Sequence, residues 1–153
     1  MALDRTDVDL LRLLQDDARI SNKDLAAKVG LSASACLERV RRLVRDGVIR
    51  GFHTVVDPDA VGAGLEALLM VGLQRHTRKV IDGFQSYCLG LEEVVGLWHI
   101  TGTSDFVIRL MTRDHVHLRD FLMDSFTTRP EVARLQTHVV LWADEKPRWP
   151  IWT

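Results

Sequence analysis

The feature that most constrains the fold is the stretch of residues 21–51, in which helix-start and helix-stop residues follow one another at close spacing. Ser21 is a suitable N-cap, Gly30 suits the left-handed conformation that ends a helix, and Ser32 offers a second N-cap two residues later. Gly47 is placed to end the longer helix that begins after Ser32. The stretch therefore predicts two short helices joined by a tight glycine turn.

The second of these helices carries the main functional indication. At about 100° per residue, its predicted core side consists of Cys36, Leu37, Val40, Leu43 and Val44. Its opposite side is polar and carries Ser34, Glu38, Arg41, Arg42 and Arg45. Short side chains near the start of a helix allow a close approach to base edges, and arginines reach phosphates or a guanine edge. This pattern predicts a helix that enters the major groove of double-stranded DNA.

An arginine-rich face also occurs on ordinary solvent-exposed helices, so the charge distribution has to decide between two interpretations. Residues 39–50 contain five arginines and one carboxylate, Asp46, whereas the whole chain has a net charge of −1. This concentration favours local contact with DNA over a solvated face or a polycation that coats nucleic acid. The predicted DNA contacts are Ser32, Ser34, Glu38, Arg39, Arg41, Arg42 and Arg45.

The residues on either side extend the predicted helical unit. Asp4 suits an N-cap, with Asp7 at the position that completes a capping box, and the leucine-rich segment after them predicts a first helix. From Val48 the sequence VIRGFHTVVD alternates in polarity and predicts a strand that leaves the unit. We predict a three-helix, winged-helix-like domain over residues 1–56 and a linker with proline and glycine over 57–64.

Residues 65–153 show a different pattern. The predicted order is strand, helix, strand, strand, helix, strand. The four strands cover Leu65–Leu73, residues 94–101, residues 106–111 and residues 132–142. The first helix follows the first strand and ends at Gly90, and the second helix follows the third strand and is capped by Asp114. This is the order of the ferredoxin-like fold, a four-stranded antiparallel sheet with both helices on one face. The chain is therefore predicted to be α+β, with a helix-turn-helix domain followed by a ferredoxin-like βαββαβ domain.

One face of the predicted sheet has no covering element in the chain, although the first and last strands carry large apolar residues on both sides. A second copy of the chain is the economical cover, so we predict a homodimer formed through the C-terminal domain. Dimerisation also suits DNA binding, because two recognition helices about 34–36 Å apart meet half-sites one helical turn apart.

A family resemblance rests on LDRTDVDLLRLLQDDARIS, then LAAKVGLSASACLERVRRLVRDGVIRGFHTVVDPDAVG, then HITGTSDFVIRL with LQTHVVL. With these segments in this order, nearly the whole chain resembles the feast/famine (Lrp/AsnC) family of bacterial and archaeal transcription regulators. The resemblance implies an N-terminal DNA-binding domain and a C-terminal domain for dimerisation and effector binding. It also implies dimers that assemble into octamers and a small effector, usually an amino acid.

The resemblance also places the effector near the connection between the second and third strands of the C-terminal domain. By position, that loop consists of Gly102, Thr103, Ser104 and Asp105. The resemblance implies an approach from a neighbouring subunit by three residues of the last strand, Leu135, Gln136 and Thr137. Asp105 offers an acceptor for an ammonium group and a glycine turn offers donors for a carboxylate. The same residue types are common in an ordinary hairpin turn.

Two residues of this loop and strand depart from the family's usual pattern. Ser104 stands where an aromatic residue is frequent, and Leu135 stands where a threonine is frequent. The expected stacking and hydrogen-bonding groups are therefore missing. Leucine, alanine, an aromatic amino acid or no ligand at all remain open as the effector.

Two other classes of function are compatible with parts of the sequence. Proteins that resemble this family include tetrapyrrole decarboxylases, in which histidines near the C-terminal cleft serve the chemistry, a role open to His99 or His138. No nucleophile is paired with a base, however, and the arginine face would have no purpose in an enzyme. An assembly module without its own effector is the second alternative, and the N-terminal domain argues against it. We predict a regulator that is not an enzyme and uses no cofactor.

Composition limits the remaining classes. No apolar run in the 153 residues approaches the 18 needed to span a membrane, and the acidic opening MALDRTDVD is unlike a signal peptide. We therefore expect a soluble, cytoplasmic protein that does not contact membranes. The two cysteines cannot form a disulfide framework, and we expect both to be reduced packing residues. His115 and His117 would lie on different sides of a helix, so no metal site is predicted.

Overall fold

The computed structural model describes residues 2–144 and 148–152. They form two compact units. One comprises residues 2–55 together with 144 and 148–152, and the other comprises residues 56–143. Among the described residues, no helix is long and apolar enough to cross a membrane.

The first unit contains three helices, α1 (Arg5–Asp16), α2 (Asn22–Val29) and α3 (Ala33–Arg45). Their predicted caps are confirmed. The carboxylates of Asp4 and Asp7 form a capping box at α1, and the Ser21 and Ser32 hydroxyls accept backbone N–H bonds at α2 and α3. The helices enclose a small core of Leu10, Leu25, Ala26 and Cys36, all at most 3% exposed. A core of this size is marginal by itself, so polar contacts between the helices matter for its stability.

Two sequence-based expectations for the first unit are wrong. Leu37 and Val44, predicted to face the core, are 39% and 46% exposed. The strand predicted from Val48 is not formed, and residues 50–57 lie outside any helix or strand. Phe52 and Val55 of this segment are 53% and 88% exposed. A strand needs a neighbour for its backbone hydrogen bonds, and this segment pairs with no strand in the described chain.

Residues 144 and 148–152 belong to the first unit rather than to the second. The Arg148 guanidinium pairs with the Asp16 carboxylate of α1 at 2.5 Å. The Trp149 backbone N–H donates to Gln15 Oε1, also at 2.5 Å. Residues 148–152 thus lie against α1.

The second unit has the predicted strand and helix order. Its elements are β1 (Leu65–Leu73), α4 (Arg78–Cys88), β2 (Val94–His99), β3 (Phe106–Thr112), α5 (His115–Leu122) and β4 (Val132–Val139). A π-helical turn over Met123–Thr127 continues α5. The strands form one antiparallel sheet in the order β2-β3-β1-β4, which confirms the ferredoxin-like topology.

The helices cover one face of this sheet, where alternate residues of β1 and β3 are fully buried. Phe84 of α4 packs on Phe106 of β3 with ring centroids 5.1 Å apart, and Phe126 of the π-helical turn packs edge-on against Phe84. The other face, called here the open sheet face, carries Leu68, Met70, Trp98, Val107 and Met111. Trp98 is 50% exposed.

The last strand is shorter than predicted. It ends at Val139 instead of continuing to residue 142, and Leu141 and Trp142 are 95% and 81% exposed. Val139 is the partner of Ala67, close to the start of β1. The Val140 backbone N–H still donates to the Glu66 carbonyl oxygen at 2.9 Å, one residue from the start of β1, so little of β1 is left to pair with a longer β4.

Candidate DNA-binding surface and effector loop

The turn between α2 and α3 sets the direction of α3. Gly30 adopts a φ of 69° at the end of α2, a left-handed conformation that a residue with a side chain rarely adopts. Asn22 Nδ2 at the start of α2 donates to the Ala33 carbonyl oxygen at 2.8 Å. Ser32 Oγ accepts from the Ala35 backbone N–H at 3.2 Å. Ser32, predicted to contact DNA, thus serves as the helix cap.

The outer face of α3 is defined here as seven of its exposed residues, which share one side of the helix: Ala33, Ser34, Leu37, Glu38, Arg41, Val44 and Arg45. Arg45 makes only long ion pairs, at 3.8 Å to Glu38 and 3.9 Å to Asp46, with about two-thirds of the Arg45 and Glu38 side chains exposed. Exposed pairs of this kind contribute little and are readily exchanged for another anion. Arg41 has no ion pair among the described residues. Both guanidinium groups are therefore available to a phosphate.

Arg39 and Arg42 are placed differently from Arg41 and Arg45, and the position predicted for Arg42 on the same exposed side as those two residues is wrong. Arg42 Nη2 donates to both carboxylate oxygens of Asp7, at 2.6 and 2.7 Å. Arg39 Nη1 donates to Asp7 Oδ1 at 2.9 Å and to Asp4 Oδ2 at 2.6 Å. Because α1 supplies these carboxylates, both arginines turn sideways along α3 and tie it to α1.

Burial makes this ion cluster structural. Asp7 is only 1% exposed, whereas the Arg39 and Arg42 side chains are 30% and 34% exposed. A buried carboxylate needs charged or hydrogen-bonding partners, and here both guanidinium groups supply them. The hydrogen bond from Arg39 holds the pKa of Asp4 below its ordinary value of 3.8. The cluster fixes the orientation of α3 and with it the outer face.

The predicted effector loop is a compact connection between β2 and β3. Gly102 has a φ of 119°, which favours glycine. The Asp105 backbone N–H donates to the Val71 carbonyl oxygen at 2.8 Å, and the Ile100 N–H donates to the Asp105 carbonyl oxygen at 2.8 Å. Ser104 is 4% exposed, so its side chain is not available at the surface. Of the four predicted loop residues, Gly102 and Thr103 are exposed.

The Asp105 carboxylate already has two partners. Oδ2 accepts the Leu73 backbone N–H at 2.7 Å, and Oδ1 lies 2.8 Å from His76 Nε2. The Asp105 side chain is 21% exposed and that of His76 is 60% exposed. Asp105 therefore anchors the loop to the end of β1, and its Oδ1 atom is held by the more exposed His76 side chain.

The three predicted residues of β4 do not share one surface. Leu135 pairs with buried Val71 and packs against the core between sheet and helices. Gln136 is the partner of Met70 and lies on the open sheet face. Thr137 returns to the face of Leu135 but is exposed. Within one chain β1 separates β4 from the loop of Asp105.

The histidines considered for catalysis are far apart. His99 is at the end of β2 and stacks on the Phe106 ring at 4.7 Å. His138 is on β4, the opposite edge of the four-stranded sheet. Three strand spacings amount to about 14 Å, which is too far for the two side chains to act on one bond. In the part of the chain that the structure describes, no cluster of three or more potential ligands could hold a metal ion.

Sequence reasoning missed three residues that the structure places at these two sites. Asp7 was assigned only to a helix cap, Leu37 to the core, and His76 to no site. The Asp7 contacts join residues 32 and 35 positions apart, so the local pattern gave no indication of them. For His76 the sequence contained no indication, because the contact joins residues 29 positions apart.

Comparison with known proteins agrees with both units. Residues 3–50 match the family model of a winged helix-turn-helix DNA-binding domain, and residues 66–146 match that of the Lrp/AsnC ligand binding domain. The chain is 41% identical to the HTH-type transcriptional regulator AldR of Mycolicibacterium smegmatis, over 90% of this chain and 81% of that protein. It is 35% identical to the transcriptional regulator AzlB of Bacillus subtilis, over 94% and 92% of the two chains.

Solved structures show the same similarity. A transcriptional regulator of Neisseria meningitidis in complex with L-Met has a TM-score of 0.88 at 28% identity, covering 95% of this chain and 94% of that one. An AsnC family regulator of Agrobacterium tumefaciens has a TM-score of 0.90 at 26% identity, covering 97% of each chain.

Proposed function

Because the chain belongs to the Lrp/AsnC family of DNA-binding transcriptional regulators that respond to small effectors, we propose that it reads DNA through the outer face of α3. The supporting observation is the division of the α3 arginines. Arg41 and Arg45 are exposed and free or weakly paired, whereas Arg39 and Arg42 are bound by α1 carboxylates. Arg41 and Arg45 contact phosphates, Ser34 and Glu38 contact base edges, and Arg39 and Arg42 orient the helix.

The test compares Arg41→Ala with Arg42→Ala in the full-length protein, using a duplex enriched from a random library by the wild-type protein. Fluorescence anisotropy at several salt concentrations gives the slope of log K against log salt. Arg41→Ala should lower this slope by about 0.9 per subunit and leave the melting temperature unchanged, because one phosphate contact is lost. Arg42→Ala should lower the melting temperature. An unchanged salt slope for Arg41→Ala would contradict the assignment, and no enriched duplex would contradict DNA reading altogether.

We propose further that the effector is an amino acid whose ammonium group binds at Asp105 Oδ1 in place of His76. The supporting observations are a partly exposed carboxylate, one oxygen of which is held by the exposed His76 side chain, and a neighbouring glycine turn for a carboxylate. The similar Neisseria meningitidis regulator was crystallised with L-Met. Gln136 and Thr137 are proposed to approach the loop from another subunit.

A thermal-shift screen against the twenty amino acids tests this proposal, because a ligand that binds only the folded protein raises its melting temperature. Asp105→Asn is the informative variant, since its amide oxygen still accepts the Leu73 N–H while the negative charge is lost. The variant should melt like the wild type and lose the shift given by the most effective amino acid. His76→Ala should keep the shift. Retention of the full shift in Asp105→Asn would remove the carboxylate from the site.

We propose that the open sheet face forms the dimer, with dimers assembling further as the family resemblance implies. Its half-buried apolar residues support this, and Trp98 lies so close to Gly96 that an added Cβ would sit 2.5 Å from the indole ring. Met70→Asp should reduce the mass measured by light scattering to that of a monomer. Leu89→Asp, on an exposed helix end, is the control and should not. A Met70→Asp protein that remained dimeric would exclude this face.

The protein is proposed to act by binding and not by catalysis, in the cytoplasm, where chromosomal DNA is reached. Its similar proteins are named as transcriptional regulators.

A further inference from the structure

Leu37 is an exposed apolar side chain on a face of α3 that also carries Ser34, Glu38, Arg41 and Arg45. It is 39% exposed on the outer face of α3. One helical turn before it are Ala33 and Ser34, and one turn after it is Arg41. The core of the first unit is built from other residues of α3, chiefly Cys36 and Leu43, both 0% exposed. Leu37 therefore points to where the proposed function places DNA.

The major groove contains one apolar group, the 5-methyl group of thymine. A leucine facing the bases has no hydrogen bond to offer, so this methyl group is the partner that fits it. The small side chains of Ala33 and Ser34 let the start of α3 approach the base edges closely. The positive charge of Arg41 and Arg45 beside Leu37 complements the two phosphate backbones.

A second exposed apolar residue on the same face provides an internal comparison. Val44 is 46% exposed but lies seven residues beyond Leu37, about 10.5 Å further along the helix axis. In helix-turn-helix proteins the N-terminal part of the recognition helix contacts the bases. Leu37, one turn from the Ser32 cap, is in that part, whereas Val44 is in the last turn.

We propose that Leu37 packs against the 5-methyl group of a thymine in each half-site and so makes the regulator select thymine over cytosine at that position. This inference rests on the proposal that α3 binds DNA, and it names the base that one residue of α3 recognises. Removing the methyl group should weaken binding about fourfold per contact, from the usual free energy of burying one carbon group.

The experiment uses the duplex enriched from the random library, in which each thymine is replaced in turn by deoxyuridine. Base pairing is kept and only the methyl group is lost. For the wild-type protein, one position in each half-site should show the fourfold increase in Kd. Leu37→Ala should bind thymine and deoxyuridine duplexes equally at that position, while Val44→Ala should keep the difference. Cytosine at this position should weaken wild-type binding, and 5-methylcytosine should recover part of the loss.

Several outcomes would overturn the inference. If wild-type protein binds all deoxyuridine duplexes as tightly as the thymine duplex, no methyl group is read, although DNA binding and the salt dependence assigned to Arg41 still stand. If Leu37→Ala retains the difference, or Val44→Ala loses it, another residue makes the contact. Leu37→Gln is a second variant for the case in which the alanine protein melts early. It should shift the preference from thymine to adenine, because glutamine pairs with the adenine edge.

Discussion

Replacement of Asp7 by alanine should unfold the DNA-binding unit without unfolding the second unit. Asp7 is the buried centre of the cluster that joins α1 to α3, where it accepts hydrogen bonds from Arg39 and Arg42 and from the Asp4 backbone N–H. Alanine would leave the Arg42 guanidinium group beside a cavity with no anion, and Arg39 would keep Asp4 as its partner. It would also remove one of the two bonds of the capping box.

The magnitude follows from burial. Removing one partner of a buried ion pair costs about 3–5 kcal/mol. The Arg39 and Arg42 side chains are 30% and 34% exposed, so water can reach part of each group and the lower value, about 3 kcal/mol, is expected. A unit of this size has a total stability of about 3–8 kcal/mol. The loss is thus comparable with the whole stability of the first unit and corresponds to a drop in its melting temperature of at least 12 °C.

The expected loss of stability is measured by differential scanning calorimetry of the full-length protein. Thermolysin digestion of the first unit is the second measurement. The matched control is Asp9→Ala on the same helix, because Asp9 makes an exposed pair with Arg12 at 3.4 Å. Exposed pairs contribute less than about 1 kcal/mol, so the control should melt close to the wild type. If the free energy of unfolding of Asp7→Ala lies within about 0.5 kcal/mol of the wild-type value, the cluster is not structural, and Arg39 and Arg42 would be free for DNA.

Three further predictions concern other parts of the chain. Burial raises the pKa of the Cys88 thiol to about 12 and also raises the pKa of Cys36. Neither thiol should therefore react with a chromogenic disulfide reagent at pH 8 until the protein is denatured, and rapid labelling of the native protein would contradict their buried placement. The pKa of Asp4 lies below its ordinary value of 3.8, so this carboxylate stabilises the fold above pH 3.8, and the stabilisation is lost as the pH falls through the lower pKa of the folded state. Urea titrations between pH 5 and pH 2 should show a smaller acid-induced loss of folding free energy for Asp4→Asn than for the wild type. Gly30→Ala places a side chain at a φ of 69° and should destabilise the first unit by about 1–2 kcal/mol by urea denaturation, whereas Gly83→Ala, which meets no atom within 4 Å inside α4, should not destabilise the second unit.

Local rules were sufficient for the elements whose ends carry their own capping residues. Asp4, Ser21, Ser32 and Asp114 were all predicted as N-caps and all accept the expected backbone bond, because a cap depends on residues within one turn. The strand predicted from Val48 failed for the opposite reason. Alternation indicates that a segment can form a strand, but a strand also requires a partner, which sequence alone does not provide.

The residues of the candidate DNA-binding surface show the same difference between what local pattern predicts and what distant contacts decide. Helical periodicity correctly placed Ser34, Glu38, Arg41 and Arg45 on one exposed side of α3. It could not separate Arg42 from them, since the difference arises from Asp7, which is 35 residues away along the chain.

The amino-acid sequence by itself determined the helices, their caps, the order of the strands and the family, because these depend on short-range periodicity and on residue order. Only the tertiary structure decided which arginines are free, that the Asp105 carboxylate is held by Leu73 and His76, and that Leu37 faces outward. Each of these depends on residues brought together from distant parts of the chain, where partners compete for the same charged group or the same buried space.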